Sequence, residues 1–365
     1  MEIEIEMEDR KVNKELANEK LIRKFLLINF GLTFLFGFFL YLGKTRGNSG
    51  AALAALQMFF PALAAIITVM TSGLDIKKTT KNTYLVYIII SIGLMINAVL
   101  GIFIEAFDFT NALMLGGSVL FLISLLKEKK HRRQVANLSL GKKTKVLGLS
   151  LVFLVLYFLR PGLIALVSGD FSSFTQTFTV EKIVFALAII ISFPLSFLAF
   201  FGEEYGWRYF LQPLVQEKYG MTKGLIFIGL IWGIWHLPLN MFYYSAEGSQ
   251  LQSLVNQILI CIGYSIFFGY AYTKTDSIWT VSLIHYLNNN LILMFTDGFD
   301  PSVIENQLIG WSEVAIMGAT TLILFGSFIF SKYNKDEKYL LANPLERFAS
   351  LETKEERIDE KNKEQ

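Results

Sequence analysis

The chain has 365 residues, of which 53% are hydrophobic, 15% aromatic and only 18% charged. That balance excludes a soluble globular enzyme and fits a membrane protein. A net charge of +2 gives no support for nucleic-acid binding, and the single cysteine, Cys261, excludes an internal disulfide.

Apolar runs long enough to cross a bilayer recur from Leu21 to Phe330, with no polar stretch able to form a second, soluble core. The expected fold is therefore all-α, a polytopic transmembrane helix bundle of about ten spans with both termini cytoplasmic. Residues 1–24 form a charged cytoplasmic tail. A full-length apolar segment follows without a small-residue cleavage pattern, so it reads as a retained signal anchor. Five spans, at 25–43, 51–71, 84–106, 112–126 and 146–167, make an amino-terminal membrane region over 25–182. Between the fourth and fifth lies "KEKKHRRQVANLSLGKKTK", residues 127–145, the most basic segment. Its expected partner is the anionic lipid headgroup. Four spans, at 183–203 or beyond, 224–244, 253–272 and 278–296, form the region 183–296. The last span, 314–331, lies in the stretch 297–331, and residues 332–365 form a charged cytoplasmic tail. With the amino terminus inside, 29 of the 33 Lys and Arg fall on cytoplasmic segments. Lys44, Arg46 and Lys182 fall outside, and Arg160 lies within a span. This asymmetry supports both the span count and the orientation.

Ionisable groups inside spans are costly, so each is a functional candidate. They are Arg160, then Glu203, Glu204 and Arg208 in "FFGEEYGWRYFL", His236 in "LIWGIWHLPLN", and His285 in "VSLIHYLNNN". On a helix Glu204 and Arg208 share a face and can pair. Glu203, about 100° away, is left free to exchange a proton. His285 and Asn289, four apart, can together bind a metal, hold a water or donate to an oxyanion. Pro238 leaves the Ile234 carbonyl without its helical donor and loosens the helix beside His236.

Depth decides whether these groups can meet. At about 1.5 Å per residue, His236 lies roughly 18 Å from Gly224 and His285 roughly 10 Å from Ile278, while Glu203 ends its apolar run. They meet if the sixth helix continues through "YGWRYFLQPL". The prediction is one helix of about 30 residues, from Ile183 to near Pro213, with Glu203 about 15 Å from its cytoplasmic end.

The ordered set "EEYGWR", "WGIWH" and "HYLNN" resembles the CPBP family, the CAAX protease and bacteriocin-processing or Abi proteins. The matching residues are Glu203, Glu204, Trp207, Arg208, Trp232, His236, His285 and Asn289. Two positions depart from the family pattern: Trp232 where phenylalanine is commoner, and Tyr209 where glycine is frequent. The resemblance implies an intramembrane endopeptidase acting near the cytoplasmic side on a peptide or lipidated peptide. In it Glu203 and His236 would activate water, His285 and Asn289 would stabilise the oxyanion, and Glu204 and Arg208 would hold the geometry. It leaves the mechanism open between glutamate-dependent and metal-dependent. A divalent metal such as zinc is a candidate cofactor, with Glu203, His236 and His285 as ligands, although no HExxH pattern is present. The expected location is a bacterial plasma membrane in preference to an internal eukaryotic one. A non-catalytic bacteriocin-immunity or regulatory protein is the alternative. A transporter is disfavoured because the polar groups cluster in one half and the halves show no inverted repeat.

Overall fold

A computed structural model describes residues 2–48, 50–73, 80–104, 107–169 and 171–350. Lys77, Lys78 and residues 351–365 of the charged tail lie outside the described residues. The fold is the expected all-α bundle. Its main helices are α1 (Glu2–Thr45), α2 (Ala51–Met70), α3 (Lys81–Phe103), α4 (Thr110–Lys127), α5 (Lys143–Ser168) and α6 (Val180–Ser196). They continue as α7 (Leu198–Tyr219), α8 (Met221–Phe242), α9 (Gln250–Thr275), α10 (Ile278–Asn290) and α11 (Trp311–Leu324). The polar residues that precede the first apolar run are helical and form the opening turns of α1.

Among the described residues, eight helices are long and apolar enough to span a membrane, or nine if α6 and α7 count as one bent span. The difference from ten lies in α10. Its 13 residues reach only about 20 Å, against a hydrocarbon core of about 30 Å. Asn288, Asn289 and Asn290 end it, since asparagine is a poor helix former, and the chain goes on as a 3-10 turn over Leu291–Phe295.

The sixth segment corrects the prediction of one continuous helix from Ile183 to near Pro213. The chain does stay helical past Glu203, but α6 and α7 meet at an angle of 73°. Pro194, in the last turn of α6, lacks the N–H that would bond Ile190, and the helix bends three residues later. Beyond the bend, every residue from Phe197 to Gln216 is buried. Phe201, Tyr205 and Tyr209, four apart, stack with ring centroids 4.8 and 4.4 Å apart. Two glycines on the same helix admit α2. A Cβ at Gly202 would collide with the Met58 carbonyl and the Tyr87 hydroxyl, and one at Gly206 with Pro61. Small residues four apart permit this close helix approach where lipid supplies no hydrophobic drive.

α8 breaks at His236, as Pro238 requires, into Met221–Trp235 and Leu237–Phe242. The side chain of Gln57 donates to the buried Trp235 carbonyl at 3.0 Å, which ties the break to α2. Large apolar side chains such as Leu27, Phe34, Ile89, Leu147 and Ile191 are exposed on the outside of the bundle, where lipid would cover them.

The basic loop is folded, not free. Its short helix, Lys130–Val135, leads into buried Val135, Ala136 and Leu138. The hydroxyl of Tyr205 donates to the Ala136 carbonyl at 3.0 Å and lies 2.7 Å from the Tyr84 hydroxyl. Trp279 donates to the Leu138 carbonyl at 3.1 Å. At the same end of the bundle Lys14 pairs with both Glu217 and Glu346 at 2.6 Å, so the early part of α1 meets the segment around Glu346.

Candidate active site

The sequence places two acids and a cation on α7, and burial decides what each can do. Glu204 and Arg208 are fully buried and pair as their spacing predicts, Nε to Oε2 at 3.0 Å. Arg208 also donates through Nη1 to Ser265 Oγ at 3.1 Å. Its guanidinium lies over the rings of Trp232 and Phe268, 5.4 and 5.7 Å from their centroids. The other oxygen of Glu204 accepts from His285 Nδ1 at 2.8 Å. One carboxylate thus holds α10 and the arginine together, and neither Glu204 nor Arg208 reaches the cavity beside them. Between Tyr205 and Leu211 the helix widens into a π-turn. Such turns concentrate at functional sites, and this one carries Arg208.

Glu203 has a different setting. It is 2% exposed, and its Oε2 accepts from the indole N–H of Trp232 at 2.7 Å. The same indole packs 6.1 Å from the ring of His236 and 5.6 Å from that of His285. Three chemically active side chains therefore surround one tryptophan. His236 lies 2.7 Å, Nδ1 to oxygen, from the Trp232 carbonyl. A carbonyl only accepts, so Nδ1 carries the proton and Nε2 is the ring's remaining acceptor. In His285, Nδ1 is likewise committed to Glu204, which leaves Nε2.

Glu203, His236, His285 and Asn289 line one cavity of about 360 Å³. The depth argument made from the sequence holds in this respect, since all four reach the same space. Its walls are mostly apolar or aromatic, with Met58, Ile164, Trp235, Leu239 and Tyr264 among them. Tyr244, Ile304, Gln307 and Ile309, from the loops beyond the ends of α8 and α10, form a loop rim of its wall. Two loops are pinned there by backbone bonds, Gln307 N to Tyr244 O at 2.7 Å and Ala246 N to Gln307 O at 2.9 Å. This is the far end of α8 from Lys218 and Lys223, and the far end of the bundle from residues 127–145. The break at His236 follows 15 residues of helix from Met221 and so lies about 22 Å along it.

Among the described residues no three His, Cys, Asp or Glu side chains stand grouped as metal ligands. The donors that the candidate ligands have left are the two Nε2 atoms and one Glu203 oxygen.

Residues 183–291, which carry all of these motifs, match the family described as type II CAAX prenyl endopeptidase Rce1-like. They are Rce1-like in sequence. The chain is also similar to the CAAX prenyl protease 2 of Methanococcus maripaludis, at 26% identity over 168 residues. That match covers 45% of this chain and 55% of the archaeal protein, so the chain spans about half the length of this curated relative.

Within residues 183–291, sequence reasoning passed over two contributors. Trp232 was legible only as an aromatic position, yet its N–H is the partner of Glu203. Ser265, which accepts from Arg208 and donates to the Leu225 carbonyl at 2.8 Å, gave no signal in a run of apolar residues. The pairing of His285 with Glu204 joins positions 81 apart, which no spacing rule could supply.

Proposed function

We propose that the chain is an intramembrane endopeptidase of the CAAX prenyl protease type, acting on a peptide or lipidated peptide by a glutamate-dependent mechanism. The observation that carries this reading is the shared cavity. It joins the one carboxylate with an uncommitted oxygen, Glu203, to two imidazoles with uncommitted Nε2 atoms and to a carboxamide.

A water between Glu203 and His236 Nε2 gives up its proton as it attacks the scissile carbonyl, with Glu203 as the base. Protonated His285, its charge met by Glu204, offers Nε2–H to the developing oxyanion, and the Asn289 amide adds a second donor. Glu203 or His236 then returns the proton to the leaving amine. Arg208 touches no reacting atom; it keeps Glu204 placed for His285. With the basic segments cytoplasmic, the loops at Tyr244 and Gln307 lie toward the opposite face, and substrate reaches the site from there or laterally from the bilayer. Loop 127–145 then sits against anionic headgroups on the cytoplasmic side.

The test is a peptide library presented to the purified protein and to Glu203→Ala and His236→Ala. Cleavage by the parent and none by either variant is expected. Equal cleavage by all three refutes the assignment, and no cleavage by any, with a biological effect that survives both substitutions, favours the immunity or regulatory reading.

A further inference from the structure

The cavity has one cation that the chemistry above does not use. Among the described residues lining it, Arg160 is the only Lys or Arg, and Glu203 is the only acid. Arg160 belongs to α5, outside the residues 183–291 that carry the motifs. Its placement follows from helix geometry. Tyr157, Arg160, Pro161 and Ile164 all line the cavity, at the spacing of one helical face. The hydroxyl of Tyr157 donates to the Asn288 carbonyl at 3.3 Å, which fixes that face against the end of α10, next to Asn289. Arg160 lies one turn further along α5, about 5 Å beyond Tyr157. The wall around it includes the Tyr264 hydroxyl, with which the guanidinium interacts. Arg160 is neither fully exposed nor fully buried.

A guanidinium at this depth is unfavourable unless hydrated or given an anion, and its planar fork matches a carboxylate. We infer that Arg160 is a specificity-determining residue that binds a carboxylate of the substrate peptide beside the scissile bond. This deepens the peptidase reading and rests on it for the word substrate, although the binding itself needs no turnover. Lining groups on the neighbouring helices are suited to hold a peptide chain beside that anion. Asn288 and Asn289 of α10, Gln257 of α9 and Gln307 of the rim carry amides, and none carries a competing charge.

The carboxylate can belong to the peptide's carboxyl terminus or to an Asp or Glu side chain, and the experiment separates the two. Using the full chain bearing Glu203→Gln so that nothing is cleaved, binding is measured by fluorescence anisotropy for a labelled peptide found by the library test or, failing one, for a hydrophobic decapeptide. Each peptide is made as the free acid, the carboxyl-terminal amide, and an amide with a single Asp or its Asn counterpart. The Glu203→Gln protein should prefer one carboxylate form by about 10-fold or more. Adding Arg160→Gln should reduce that preference to near onefold, whereas Arg160→Lys should keep part of it. Thermal unfolding of each variant confirms that it is folded. A preference that survives Arg160→Gln, or no preference in the Glu203→Gln protein, overturns the inference. Cleavage without acid preference defeats this inference alone. Acid-selective binding that depends on Arg160, with no cleavage by the parent, defeats only the peptidase reading.

Discussion

Replacing Trp232 by phenylalanine removes the indole nitrogen and keeps an aromatic ring at the place where His236, His285 and Arg208 pack. The lost bond is the 2.7 Å donation to Glu203 Oε2, in a site where that carboxylate is 2% exposed. A hydrogen bond to a charged group contributes about 1.5–3 kcal/mol. If that restraint acts in the transition state, its loss lowers turnover by about 10- to 150-fold, at about 1.4 kcal/mol per tenfold. The effect belongs in kcat, because Glu203 acts on water and not on substrate affinity. The assay is steady-state cleavage of a fluorogenic peptide, with thermal unfolding measured alongside. Ring stacking of Arg208 survives the substitution, so the variant should remain folded. A folded Trp232→Phe protein whose kcat is within twofold of the parent would refute the claim that the indole positions the base.

Three other outcomes follow from the same contacts. Glu204→Gln leaves the buried Arg208 without its counter-charge and loosens His285; a loss of about 3–5 kcal/mol is expected, read as a lower unfolding temperature together with lost cleavage, and an equally stable, fully active variant contradicts it. Gly206→Ala drives a methyl into Pro61 and should destabilise the protein by about 1–3 kcal/mol, whereas unchanged unfolding would show that α2 and α7 have room to separate. Prolonged dialysis against a chelator should leave cleavage unchanged, because the proposed steps use only Glu203, His236, His285 and Asn289; loss of activity that zinc restores would shift the account to a metallopeptidase.

How much of this was legible before the fold depended on the range of each interaction. The pairing of Glu204 with Arg208 is a four-residue spacing on one helix, and it was read correctly. So was the break beside His236, because Pro238 announces it locally. The bend between α6 and α7 had a local cue in Pro194, but hydropathy runs through it without a change, which reads as one continuous helix. The π-turn at Tyr205–Leu211 has no comparable signature in residue type. The least legible features are the long-range ones. Trp232 on Glu203, Tyr205 on Ala136, and the rim formed by Tyr244 and Gln307 are set by how helices pack. Position along each span was countable, since the starts of α8 and α10 can be read from the chain, but which helices stand beside them cannot.

The central claim is that Glu203 activates water for peptide hydrolysis in this cavity. It is tested most directly by digesting a peptide in ¹⁸O-labelled water and weighing the amino-terminal product by mass spectrometry, with the parent protein and with Glu203→Gln. The account predicts one ¹⁸O in the new carboxyl group with the parent and no product with the variant. Labelled product formed at equal rates by both would contradict it.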